Sequence, residues 1–198
     1  MDIDLNPSTA LSVPSFDLGN YVLREIRSED IQAVFAGLSN PSVIRHYGVS
    51  YHSLEATVEQ MRWYERLLSE REGIWWGIAR HEDDELIGAC GFSDWIHEHR
   101  SVDLGYWLLP AYWRRGIMQK ALPEVLRHAF RHMNIHRVHA DVEPENAASF
   151  HLLRKLGFLH EGTLRDVEYK EGSYVSLHQL SIIQSDPVAM ELHDPNIG

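Results

Sequence analysis

The sequence predicts a single mixed α/β domain. Three observations carry that expectation. Short runs alternate apolar and polar residues, as half-buried strands do, and longer runs place apolar residues three and four apart, as amphipathic helices do. The two kinds interleave in the order β-α-α-β-β-β-α-β-α-β-β. At 198 residues the chain is long enough for one domain with a proper core. The domain is expected over 19–185. A loose arm at 1–18, rich in Pro, Ser and Asp, precedes it, and a tail of similar character at 186–198 follows.

"YVLREIR" (21–27) alternates as a strand, and "SEDIQAVFAGL" then opens with a Ser cap and an acidic first turn, as helices do. In "SLEATVEQMRWYERLLSE" (53–70), Leu54, Val58, Met61, Tyr64 and Leu68 fall at helical spacing. "GIWWGIAR" (73–80) and "ELIGACGFSDW" (85–95) read as strands around the turn-like "HEDD", and "VDLGYWLL" (102–109) as a third. Ile117, Ala121, Leu122, Val125, Leu126, Ala129, Phe130 and Met133 form one helical stripe, with Lys120, Glu124, Arg127 and Arg131 opposite. Pro123 removes a backbone donor there and is expected to bend the early turns. "HRVHADV" (136–142) is a strand, and "NAASFHLLRKLGF" is a capped helix ending at a favoured Gly. "GTLRDVEYKEGSYVSLHQLSII" closes the domain with two strands around "KEGS".

The formal charge is −11, from 29 acidic and 18 basic side chains. That balance works against binding a phosphate backbone and suits a cationic partner such as an amine. No run approaches the roughly 18 apolar residues of a membrane span, and the acidic start does not read as a secretory signal. The single Cys90 excludes a disulfide framework and suits a reducing compartment. A cytoplasmic protein is expected, as monomer or homodimer, without nucleic-acid or membrane partners.

Chemistry concentrates in "WRRGIMQKA" (113–121), between a strand and a helix. A glycine turn at such a junction leaves backbone N–H groups unpaired at the positive end of a helix, where phosphate binds. Arg114 and Arg115 add charge beside Gly116. The plain alternative is a connecting turn with solvated arginines. Neither the Walker pattern nor G-x-G-x-x-G is present.

Together with "LGYWLLPAYWRRGIMQKAL", the run "EPENAASFHLLRKLGFLHEG" (143–162) resembles the Gcn5-related N-acetyltransferase (GNAT) superfamily. More narrowly it is similar to the branch of ribosomal-protein N-terminal acetyltransferases (RimJ/RimL-like). The resemblance spans roughly 19–185 and is most specific between 102 and 170. It implies a twisted mixed sheet with flanking helices, whose fourth and fifth expected strands splay apart to admit the pantetheine arm of acetyl-CoA. No metal is implied. Arg114, Arg115, Gly116, Ile117, Met118 and Gln119 correspond to the pyrophosphate loop. The strand end at Trp107–Leu108 corresponds to the one that pairs with the pantetheine amides. Trp113 departs from the usual Gln or Arg, and Met118 from the usual Gly or Ala.

The resemblance implies that Asn146 is a pantetheine ligand, and Ser149 a hydroxyl able to protonate the departing thiolate. From the residues alone, Asn146 is a helix cap and Ser149 an exposed helix residue. The match runs without a gap to Glu168, which falls where the branch has its proposed general base, with Asp166 as the nearby rival. A backbone N–H at Leu108 or Leu109 is expected to stabilise the oxyanion. The acceptor is a primary amine, a protein N-terminus or a small molecule. Glu161, Asp166, Glu168 and Glu171 favour a cationic one. A coenzyme A-binding regulatory or immunity protein without turnover is the second reading.

Other groups read as structural. His128, His132 and His136 have metal-like spacing without a completing Glu or Cys. Cys90 sits in an apolar strand and reads as core. His46, Tyr47, Trp75, Trp76 and Trp95 are candidates for lining an acceptor cleft.

Overall fold

A computed structural model describes residues 12–170 and 172–193. Residues 1–11 of the expected arm (1–18), Glu171, and residues 194–198 of the expected tail (186–198) lie outside the described residues. One eight-stranded sheet organises the rest, in the order β1-β2-β3-β4-β5-β6-β8-β7. Its strands are β1 (Phe16–Asp17), β2 (Tyr21–Glu25), β3 (Ile74–Arg80), β4 (Leu86–Ile96), β5 (Ser101–Leu108), β6 (Arg137–Val142), β7 (Leu159–Lys170) and β8 (Ser173–Ile183). The helices are α1 (Ile31–Leu38), α2 (Pro41–Ile44), α3 (Leu54–Ser69), α4 (Ile117–His132), α5 (Ala147–Lys155) and α6 (Pro187–His193).

All neighbouring strands are antiparallel except β5 and β6. These two need a crossover, and α4 supplies it. Its stripe of Ile117, Ala121, Leu122, Val125, Leu126, Ala129 and Phe130 is buried against one face of the sheet. Pro123 lies inside α4, and the helix continues through it. On the other face α1 and α3 cover Trp75, Leu86, Ala89 and Trp107 with Val34, Leu38, Met61, Tyr64 and Leu67. Ser53 caps α3 by accepting from Ala56 N–H at 3.1 Å.

The parallel pairing of β5 and β6 covers only Ser101–Asp103 against Arg137–His139. Beyond Asp103 the strands part, at the place where the sequence resemblance puts the splay.

The ends of the domain differ from expectation. The inner part of the arm is ordered: β1 pairs with β2, Leu18 is buried, and Trp76 Nε1 donates to the Pro14 carbonyl at 2.8 Å. The tail begins with a helix. Ala189 of α6 is fully buried, and Val188 packs close over Gly157 at the end of α5. Both segments are too short for periodicity to show, and tertiary contacts decide them. If α6 is part of the core, Ala189→Glu should destabilise the protein by about 1–3 kcal/mol, through overpacking and a buried charge. A lowered urea midpoint checks this, and an unchanged one would return the segment to a loose tail.

Candidate active site

A cavity of about 960 Å³ passes through the β5–β6 gap. Its walls include Asp103–Tyr106 from β5, Ala140–Val142 with Glu143 from the end of β6, Asn146 and Ser149 at α5, and Glu168–Lys170 from β7. Side chains alternate along β5, so its two faces serve the two ends of this cavity. Asp103, Gly105 and Trp107 face α1 and α3, while Tyr106 faces α5.

The sequence-predicted loop follows β5 directly and is not among the residues that line this cavity. Gly116 is the N-cap of α4 with φ +74°, a left-handed conformation that suits glycine. A Cβ there would meet nothing within 4 Å, so the space above the loop is open. No side chain caps α4, and its first turn holds no acid. The N–H groups of Ile117, Met118 and Gln119 therefore lack intrahelical partners and face a positive dipole end. Of these, Ile117 contributes only backbone, because its side chain is buried in the core. Arg114, also left-handed at φ +59°, is exposed. Arg115 lies over the Tyr112 ring at 5.1 Å. Gln119 accepts from Lys155 Nζ at 3.0 Å, which ties the first turn of α4 to α5.

The edge of β5 sorts its backbone groups. Leu109 N–H donates to the Ile87 carbonyl at 2.9 Å, so it is not the free donor that the sequence allowed. By ladder alternation Trp107 also spends its backbone groups on β4, opposite Ala89, whereas Leu108 and Tyr106 turn theirs to the gap. Trp107 is thus corrected from an edge contact to a core residue, its indole donating to the Tyr64 hydroxyl at 3.3 Å. The Leu108 carbonyl accepts from Trp113 Nε1 at 2.7 Å, which leaves the Leu108 N–H for a ligand. Trp113, the departure from the usual loop, has a job here that no periodicity could show.

Asn146 caps α5, its Oδ1 accepting from Ser149 N–H at 3.2 Å, with the amide nitrogen still able to donate. Ser149 Oγ and the Tyr106 hydroxyl are 2.5 Å apart. Burial, partly offset by this bond, pushes the Tyr106 hydroxyl up to about 12, so it stays protonated at neutral pH. Sequence reading missed Tyr106. Its signal was present: it is the residue of the strand-end run whose face turns toward α5.

The carboxylates separate cleanly. Glu168 lines the cavity and Asp166 does not. In β7 the three residues 165–167 oppose the single Ser176, and Asp166 at φ +51° sits on this bulge. Its N–H donates to Ser176 Oγ at 3.0 Å. Glu161 is taken by Arg137 and by Ser181, which accounts for its pKa of about 2. Of the expected acidic residues that are described, Glu168 alone lines the cavity, and Glu59, Asp103, Asp141 and Glu143 join it there. Burial pushes the Glu143 carboxyl up, but bonds from Lys170 Nζ at 2.9 Å and His46 Nδ1 at 2.6 Å hold it below the ordinary range.

Of the proposed cleft residues, His46, Tyr47 and Trp75 line the cavity. Trp76 belongs to the opposite core, and Trp95 stacks on His97. His128 packs between Phe16 and Trp76, with its pKa lowered to about 4 by burial and by His132. Cys90 is fully buried, which pushes its thiol up. Among the described residues, no helix is long and apolar enough to cross a membrane.

The family model described as "Acetyltransferase (GNAT) domain" matches residues 20–159. The chain belongs to the GNAT acetyltransferase family. It is an N-acetyltransferase whose cosubstrate is acetyl-CoA. YoaA of Bacillus subtilis, an uncharacterized N-acetyltransferase, is 34% identical over 86% of this chain and 97% of its own length. The GNAT fold is shared with a ribosomal-protein-S5-alanine acetyltransferase from Vibrio fischeri (TM-score 0.77, 22% identity, 88% of this chain and 98% of that one). It is shared too with a spermidine N-acetyltransferase from Vibrio cholerae solved with CoA and spermine (TM-score 0.75, 21% identity, 84% and 97%). Two features of this GNAT chain fit CoA: an uncapped α4 under open space, and a strand edge with free amides.

Asp103 gives this GNAT cavity a pH signature. Burial, then Asp141 and Asp94, push its carboxyl from 3.8 up to about 7. His139 Nε2 lies 4.0 Å away, and Tyr47 lines the same cavity. Between these two values the folded state holds a proton that the unfolded state has lost, so stability falls as pH rises through the window. Asp103→Asn removes that dependence. Its melting temperature should match the unmodified protein near pH 4 and exceed it at pH 8, and a gain at pH 4 alone would reverse the assignment.

Proposed function

We propose that this chain acetylates a primary amine by direct transfer in a ternary complex, with Glu168 as base and Ser149 as acid. The observation that supports it is the single cavity through the β5–β6 gap, with Ser149 and Glu168 both on its walls. Acetyl-CoA supplies the activated acetyl thioester. The uncapped N–H groups of Ile117, Met118 and Gln119, with Arg114 and Arg115, hold its pyrophosphate at Gly116. The Asn146 amide and the free backbone edge at Tyr106 bind the pantetheine arm, and the Leu108 N–H is the donor for the charge that develops on the carbonyl oxygen.

The amine enters from the α1–α3 side. Glu168 takes the ammonium proton through a water, the nitrogen forms its bond to the acetyl carbon, and the carbon–sulfur bond breaks. Ser149 gives a proton to the departing sulfur and is reprotonated, through water, by the second proton that the acylated nitrogen sheds, with the neutral Tyr106 hydroxyl orienting it. The products are the N-acetylated amine and CoA thiol. The RimJ/RimL-like assignment rests on the ungapped run from Ser149 to Glu168. The fully buried free Cys90 suits a cytoplasmic setting.

Acetyl-CoA should raise the melting temperature, since hundredfold saturation adds about 2.7 kcal/mol to the native state. Gly116→Asp should abolish the shift by putting a carboxylate where phosphate binds. An unmoved melting temperature at millimolar acetyl-CoA would sink the assignment.

Glu168→Gln should lower turnover at neutral pH by about 10²-fold or more while acetyl-CoA still binds. Higher pH should partly rescue it, because more of the amine is then neutral. Asp166→Asn, on the bulge, should cost far less. The opposite ranking in a thiol-release assay would give the base to Asp166.

A further inference from the structure

Among the described residues, three buried side-chain atoms have no hydrogen-bond partner: Trp75 Nε1, Asp103 Oδ1 and His139 Nδ1. Buried polar groups in folded proteins are normally paired, so each one calls for an explanation. Trp75 and Asp103 line the same cavity.

The sheet explains how they come together. Trp75 stands in register with Gly91, and Gly91 with Gly105. A Cβ at Gly91 would fall 2.6 Å from Trp75 Cγ, and one at Gly105 2.8 Å from Cζ2 and Cη2. The two glycines therefore form a flat bed across β4 and β5 on which the indole lies. Its benzo edge reaches the strand that carries Asp103, two residues before Gly105 and on the same face. Trp63 and Tyr64 pack against the ring, each with centroids 5.5 Å away. At 6% exposure the ring is fixed, and its unpaired donor is buried within the wall that Trp75 contributes to the cavity.

One fixed donor and one carboxyl on the same wall describe a ligand with both a cationic donor and an acceptor. We propose that Trp75 and Asp103 form the subsite that selects the acceptor: an amine carrying a carbonyl close by, as in a peptide N-terminus or an amino-acid amide. This rests on the acetyltransferase reading and narrows it. Asp103 accepts from the ammonium, and Trp75 N–H donates to the carbonyl oxygen. Glu168 remains the group that removes the proton. An alkyl diamine satisfies the carboxyl, but near neutral pH both its nitrogens only donate, so the indole stays unpaired. A site that hydrogen-bonds one substrate group discriminates against an analogue lacking it, because its own polar group is then stranded.

The test compares kcat/KM for a tripeptide amide with a free N-terminus and for 1,4-diaminobutane, by thiol release. The peptide should be better by about tenfold or more. Trp75→Phe keeps an aromatic ring on the glycine bed and removes the N–H. It should lower the peptide value by about tenfold and leave the diamine unchanged, so the ratio collapses. Asp103→Asn should weaken both acceptors, mainly in KM, and keep the ratio. Since the ratio in the unmodified protein is itself diagnostic, a variant that fails to fold does not decide the matter. Diamine turnover equal to or better than the peptide's, or an equal loss of both acceptors in Trp75→Phe, overturns the subsite and leaves the acetyltransferase standing. If acetyl-CoA binds and no amine is turned over, both readings fall.

Discussion

The parallel pairing of β5 with β6 stops at Asp103 and His139, and the backbone groups beyond that point must find other partners. On the β4 side they have them, since Trp107 and Leu109 bond across the antiparallel ladder. On the gap side Leu108 and Tyr106 present a strand edge in the middle of a sheet. Such an edge is costly unless a ligand or a side chain covers it. Trp113 covers one carbonyl, and Tyr106 lines the cavity. The crossover helix α4 follows directly after this edge, so the same chain segment supplies strand-edge amides and a helix N-terminus. That is the physical basis for binding an extended molecule with a phosphate end.

Strand alternation then divides the labour. The residues of β5 that face α1 and α3 meet a core rich in tryptophan and tyrosine, with Asp103 at the parting point. Tyr106 faces α5 and meets Ser149. A gap through the sheet makes the two environments one cavity, so an amine and a thioester can approach from opposite faces without competing for space. The glycines at 91 and 105 serve this arrangement, because any larger residue would lift the Trp75 indole off β4 and β5.

Environment, more than residue type, assigns the carboxylates. Glu161 is held ionised by Arg137, Glu143 by Lys170 and His46, and Asp103 is raised by burial among other acids. Glu168 and Asp166 differ by two residues in a strand, which would ordinarily place them on the same face. The bulge at 165–167 breaks that rule and separates them.

Most of the fold was legible in the sequence. Pattern located α3, α4 and strands β2 to β8: the two helices bury one regular stripe, β3 and most of β4 are apolar runs buried on both faces, and the turn between them marked β7 and β8. Gly116 behind two arginines, and Asn146 three residues before Ser149, were visible as a loop and a cap. The family resemblance supplied their chemistry. What stayed hidden depends on contacts between distant segments. Nothing local marks β1 or α6, which exist because Leu18 and Ala189 find buried places. Leu109 loses its donor to Ile87, and Trp107 turns to the core, only once the register of β4 on β5 is set. Tyr106, Glu143 and Asp103 look like ordinary strand and loop residues until Ser149, Lys170 and the β5–β6 split surround them. Sequence alone determined which segments could carry a phosphate loop and an acid–base pair. Tertiary structure decided which of their polar groups remain unpaired, because pairing is settled by neighbours far away in the chain.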